Sequence, residues 1–221
     1  MTQSTRFAPW LAAASVALAV FTAAPAHAQG YDLEGFFIEV PIGVGVPIAE
    51  DSYTTLYDTG FWTGVNLGYL FAVGGGSVAI GPAVDLQYAF GNVEEDFHDR
   101  DAYEDDIYLG RFRAIGGARF VVSVGDAYIL TRLGVGLDIA HTSWDYYEGG
   151  GARRIEGDHS DISFGLIGGV GMGYRITDLI GVTFLLDLPI GFHDESSDSS
   201  FIHWTGDMVD IVLSGAVVFF L

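Results

Sequence analysis

The sequence contains no cysteine and no lysine. Without cysteine, no disulfide framework can hold the fold. Without lysine, all nine basic residues are arginine, set against 29 acidic ones, and the formal net charge is -20. A chain this acidic repels phosphate, which excludes nucleic acid as a partner. Beyond residue 28 there is also no uninterrupted apolar run of the ~20 residues that a spanning helix needs. Yet half of the residues are hydrophobic. Such a chain must stabilise itself by something other than a disulfide or a membrane helix.

The first 28 residues read as a cleaved signal peptide. Arg6 supplies the positive start, Trp10 to Ala24 an apolar core, and Ala26-His27-Ala28 a small-residue cleavage site before Gln29. That core is shorter than a spanning helix. Residues 29–221 then form one domain, since the length is too short for two ordinary ones.

From Gly35 onward the chain alternates by twos, the period of a strand with two unlike faces. In Ser77 to Phe90 one parity reads Val78, Ile80, Pro82, Val84, Leu86, Tyr88, Phe90. The other reads Ser77, Ala79, Gly81, Ala83, Asp85, Gln87, Ala89. The same split of a continuously apolar face from a small or polar one recurs in Phe36–Pro47, Phe61–Phe71, Ile107–Val122, Ile129–His141, Asp161–Ile176, Ile180–His193 and Met208–Leu221. That predicts eight strands. Short links fall at Gly74-Gly75-Gly76, Gly125-Asp126 and Thr177-Asp178; long polar links fall near 48–60, 92–106, 145–160 and 194–206. Short turns at one end and long loops at the other are the layout of a transmembrane barrel whose turns face the periplasm.

A soluble eight-stranded barrel would turn the apolar parity inward and the other parity to water. The second parity is mostly Gly, Ala and Ser, a poor solvated surface but a good filling for a narrow barrel. The apolar parity carries aromatics at both ends: Tyr69, Phe71, Phe120, Tyr174 and Phe219 towards the turns, Phe61, Tyr88, Phe90, Tyr108 and Phe192 towards the loops. Those are two interfacial girdles. The expected fold is therefore all-β: an eight-stranded antiparallel up-and-down transmembrane β-barrel with short periplasmic turns and long extracellular loops. Pro41, Pro82 and Pro189 fall inside predicted strands, where each removes a ladder donor; local bulges are expected there.

In this layout the chain resembles the small outer-membrane barrels of the OmpA-transmembrane, OmpX and OmpW type. The resemblance spans nearly all of Gly35 to Leu221 and is architectural. It implies an outer-membrane location, lipid as the surrounding partner and a monomer. The final strand, ending Val217-Val218-Phe219-Phe220-Leu221, is similar to the signal such proteins present to the barrel-insertion machinery, although Leu221 stands where the family usually ends in an aromatic residue. No peptidoglycan-binding domain follows, so OmpA-like anchoring is not expected.

The polar parity holds Glu39, Asp85, Asp138, Asp187 and Asp210 against Arg111, Arg113, Arg119, Arg132 and Arg175. A charge buried alone is costly, so pairing across the lumen is expected, without particular pairs being assigned. Such a network would plug the lumen; a narrow conduit for small or hydrophobic solutes, OmpW-like, is the alternative. The second long link carries Glu94, Glu95, Asp96, Asp99, Asp101, Glu104, Asp105 and Asp106, a place for weakly bound divalent cations, although without EF-hand spacing. His98, His159, His193 and His203 read as incidental surface histidines, and no metal ligand set or cofactor is expected. His141 and Ser143 share an outward face and faintly resemble the His-x-Ser of outer-membrane lipid A deacylases. Trp144 stands where that family has Asn, and Glu156 or Asp158 would have to supply the carboxylate. The reading as a whole is of a non-enzymatic barrel with an envelope-supporting or loop-mediated binding role.

Overall fold

The computed structural model describes residues 33–48, 59–73, 76–92, 106–148, 153–193 and 207–221. The signal-peptide segment 1–28 and the acidic run from Glu94 to Asp105 lie outside them. Eight strands follow one another: β1 (Gly35–Pro47), β2 (Gly60–Val73), β3 (Val78–Asn92), β4 (Asp106–Val124), β5 (Ala127–Glu148), β6 (Arg153–Arg175), β7 (Ile180–Phe192) and β8 (Met208–Phe220). Each pairs antiparallel with its neighbour, and β8 returns to β1 through Phe37↔Phe220 to Pro47↔Asp210, closing the barrel. Closure removes both sheet edges, which is how a β structure satisfies its own backbone without water.

The turns are as short as their sequences demand. Gly125, with φ 64, occupies the left-handed region that lets β4 reverse into β5. Between β6 and β7, Thr177 Oγ1 accepts hydrogen bonds from the Leu179 and Ile180 amides at 3.2 and 3.0 Å.

Pro41, Pro82 and Pro189 do not create bulges. On either side of each, the register continues unshifted: Glu39↔Asn66 and Ile42↔Thr63 flank Pro41, Gly68↔Ala83 and Phe71↔Ile80 flank Pro82, and Asp187↔Val212 and Ile190↔Val209 flank Pro189. Each proline stays paired on its other side, to Ala216, Ala118 and Ile167 respectively. The reason is geometric. A strand residue directs its N–H to one neighbour only, so a missing donor opens one ladder locally and leaves the other intact.

The link expected over 145–160 is mostly strand. β5 and β6 continue as a ladder through Trp144↔Gly157 to Glu148↔Arg153, leaving four residues between them. Apolar alternation marks a strand only where one face meets an apolar medium. Beyond that depth pairing continues without the pattern.

Outward and inward residues separate by parity. Leu133 is 72% exposed and Phe36 61%, with Ile80, Val84, Leu86, Val135, Leu137, Phe164, Met172, Phe184 and Leu213 also on the outer wall. Outward rings gather in two bands. Phe36 meets Tyr69 edge-on at 4.7 Å near the turns; Phe61 and Phe90 lie 5.1 Å apart, and Phe164 and Phe192 stack at 6.0 Å, near the loop end.

Candidate functional site

The lumen is built from three layers. At the turn end Phe37, Leu70, Val121, Tyr128, Leu130, Leu185, Val218 and Phe220 pack into an apolar floor. This floor was not legible as such: its members sit on the parity that is otherwise Gly, Ala and charge. Its one signal is that the inward residues become large wherever a strand approaches a short turn or a terminus.

Above the floor lies the first ion pair. Arg119 on β4 donates to both carboxylate oxygens of Glu39 on β1, at 2.9 and 2.8 Å, and Asn66 Nδ2 donates to Glu39 at 2.7 Å. The Arg119 guanidinium also lies 4.4 Å from the Phe37 ring centroid. Next, Arg132 on β5 meets Asp187 on β7 through Nε at 2.8 Å and Nη2 at 2.7 Å, and Asp85 on β3 through Nη1 at 3.2 Å. Arg119 and Arg132 stand directly opposite each other in the β4–β5 ladder. Like charges so placed repel; each points its guanidinium away, to acids on strands that are not its neighbours in sequence.

Nearer the loop end, Asp138 on β5 accepts from Arg111 Nε at 2.9 Å and Nη2 at 2.7 Å, and from Arg113 Nε at 2.7 Å. Arg111 Nη1 crosses the lumen to Asp210 on β8 at 2.6 Å. Both Arg113 and Asp138 are 0% exposed, and Arg113 lies 4.8 Å from the Trp62 ring centroid. Small inward residues make room for this layer. A Cβ on Gly191 would collide with Asp138 and come within 2.6 Å of Arg111 Nη2.

Nine of the ten charged residues singled out in sequence thus lie in these layers. Arg175 lies at the turn end, with its guanidinium 4.5 Å from the Phe220 ring and Nη2 donating to the Asp178 carbonyl at 2.8 Å. A cavity of about 10 Å³ is lined by Pro41, Trp62, Thr63, Gln87, Asp187, Val212 and Ser214, room for about one water.

Two histidines are placed in ways that spacing did not suggest. His141 faces outward, and its Nδ1 shares a hydrogen bond of 2.8 Å with Ser160 across the β5–β6 ladder, where sequence spacing had pointed to Ser143. His193, read as a surface histidine, is buried just beyond β7. Its Nδ1 lies 2.6 Å from Asp161 Oδ2, and its Nε2 3.1 Å from Ser163 Oγ and 3.7 Å from Asp138 Oδ1. The link was missed because these residues are adjacent only through the β6–β7 register. Among the described residues, no group of three His, Asp or Glu is arranged to hold a metal ion.

No protein-family model matches the chain, and no curated protein matches its sequence. Solved structures do. Ail, the attachment invasion locus protein of Yersinia pestis, is 14% identical, with 85% of this chain covering 100% of that one at a TM-score of 0.48. Neisserial surface protein A is 13% identical, over 85% and 97% of the two chains at 0.47. The outer membrane protein OprG from Pseudomonas aeruginosa is 13% identical, over 87% and 98% at 0.45. At such identities the similarity concerns the strand architecture.

Proposed function

We propose that this chain is an integral outer-membrane protein, its barrel closed to solute passage and its work done at the loop end. The observation that carries this reading is the contrast between the two walls: arginines and carboxylates buried inside, Leu, Val, Ile and Phe exposed outside. Water is a poor solvent for that outer wall, and lipid a good one. The aromatic bands at both rims suit the two interfaces. Arg111 spans from Asp138 to Asp210 across the lumen, a bar that an ion would have to break in order to pass. Lipid is the obligatory partner, the barrel-insertion machinery the assembly partner, and the working unit a monomer. Envelope support or binding by the loops fits a sealed barrel, and divalent cations at the acidic loop are its simplest ligand.

Conductance of the refolded protein in a planar bilayer tests the sealed lumen, with heat-modifiable gel migration reporting that it is folded. A silent, folded barrel is the expected result. Reproducible discrete openings would replace this reading with a channel for small solutes.

A further inference from the structure

Asp161, His193 and Ser163 form a chain of hydrogen bonds whose polarity can be read. A carboxylate only accepts, so the 2.6 Å contact between Asp161 Oδ2 and His193 Nδ1 places the imidazole proton on Nδ1. In that tautomer Nε2 can accept the Ser163 hydroxyl, whose Oγ lies 3.1 Å away. Asp138 Oδ1 lies 3.7 Å from Nε2, beyond hydrogen-bond distance. Nucleophile, base and orienting carboxylate are the three parts of an activated serine.

The surroundings fit that chemistry. The His193 side chain is 1% exposed, so its proton is shielded from bulk water, whereas Asp161 is 28% exposed and Ser163 is half-buried. The group lies at the loop end of β7, level with the stacked Phe164 and Phe192 of the outer girdle. Ser163 Oγ also lies 3.3 Å from the Asp138 carbonyl; rotation about one side-chain bond moves its proton between that oxygen and Nε2. The carboxylates of Asp161 and Asp138, in a chain of formal charge -20, disfavour an anionic substrate.

We propose that Ser163 and His193, oriented by Asp161, form a serine-nucleophile centre at the loop-end mouth of the lumen, acting on neutral or cationic carboxylic esters that reach it from outside. Ser163 Oγ bonds to the ester carbonyl carbon as its proton passes to His193 Nε2. The carbon–alkoxy bond breaks, and the departing alcohol takes that proton. Water then attacks the acyl-serine, releasing the acid and restoring Ser163. Ser163 and His193 are the catalytic residues, and Asp161 is a positioning residue. This centre goes beyond the sealed-barrel reading and borders the loop-end ionic layer, since Ser163 stands opposite Asp138 in the β5–β6 ladder.

The test treats the full-length refolded barrel with a neutral fluorophosphonate and locates the adduct by mass. One phosphonyl group on Ser163 is expected, absent in Ser163→Ala. His193→Gln should slow labelling by about 10²–10⁴-fold. Asp161→Asn should lower the maximal inactivation rate while the half-saturating probe concentration stays unchanged, a split that a purely structural role would not produce. Because the chain has no cysteine, Ser163→Cys gives a second, independent readout. Alkylation of that variant by iodoacetamide at neutral pH should run about tenfold or more faster with His193 in place than with His193→Gln added. A folded wild-type barrel left unlabelled at Ser163, or an alkylation rate of the Ser163→Cys variant indifferent to His193, overturns the proposal.

Discussion

The two faces of each strand lie one residue apart in sequence and obey different rules. On β7 the outward residues Phe184 and Leu186 are exposed, and the inward Leu185, Asp187 and Pro189 are buried. Outward, the side chains share only an apolar character and have no fixed partner to match. Inward, each side chain depends on a particular partner: Asp187 on Arg132, Asp138 on Arg111, Gly191 on the space that those two fill. Composition therefore governs the outer wall, and pairwise complementarity the inner one.

Four sets of substitutions sharpen that contrast, each measured as the shift in urea unfolding of the barrel in lipid vesicles. Arg111→Met should be the most damaging, at about 3–5 kcal/mol, because it takes the 2.6 Å partner from buried Asp210 and leaves Asp138 with Arg113 alone of its two arginines. Val135→Arg on the outer wall should lose about 2–4 kcal/mol if Val135 lies near the bilayer midplane; a neutral effect in lipid would argue that this face does not meet the membrane. The same Gly→Ala change should read differently on the two faces. At Gly191 it drives a methyl into Asp138 and Arg111 and should cost about 1–3 kcal/mol. At Gly168, whose added Cβ would meet Leu133 at an ordinary 3.6 Å, it should stay within about 0.5 kcal/mol. Smallest of all is the double change Glu39→Leu with Arg119→Leu. Either single change leaves one charge buried without its partner, whereas the pair removes both charges and should be close to neutral. A double mutant as unstable as the sum of the singles would count against Glu39–Arg119 being a coupled pair.

The outer wall was the legible part. Predicted strand limits such as Ile180–His193 and Met208–Leu221 differ from the observed ones by a single residue at one end, because the outward parity stays apolar along the strand. The limits failed where that cue stops. β5 was expected to end at His141 and runs to Glu148, where neither face need be apolar. The inward charges could be enumerated but not joined. Arg119 and Arg132 are direct neighbours that serve Glu39, Asp85 and Asp187 on three other strands, and such choices depend on how the closed sheet staggers its strands. His193 illustrates the same limit. Thirty-two residues separate it from Asp161, and only the β6–β7 register brings them together.

By itself, then, the sequence determined strand number, antiparallel order, the positions of the turns and which parity faces outward. Each of these rests on a local signal: period-2 hydropathy, glycine at a reversal, or aromatics at strand ends. The tertiary structure decided which carboxylate each arginine holds, that the inward parity becomes an apolar floor at the turn end, and that a buried histidine links Asp161 to Ser163. Those outcomes depend on strand stagger around a closed ring, a distance relation among residues far apart in the chain that no local pattern carries.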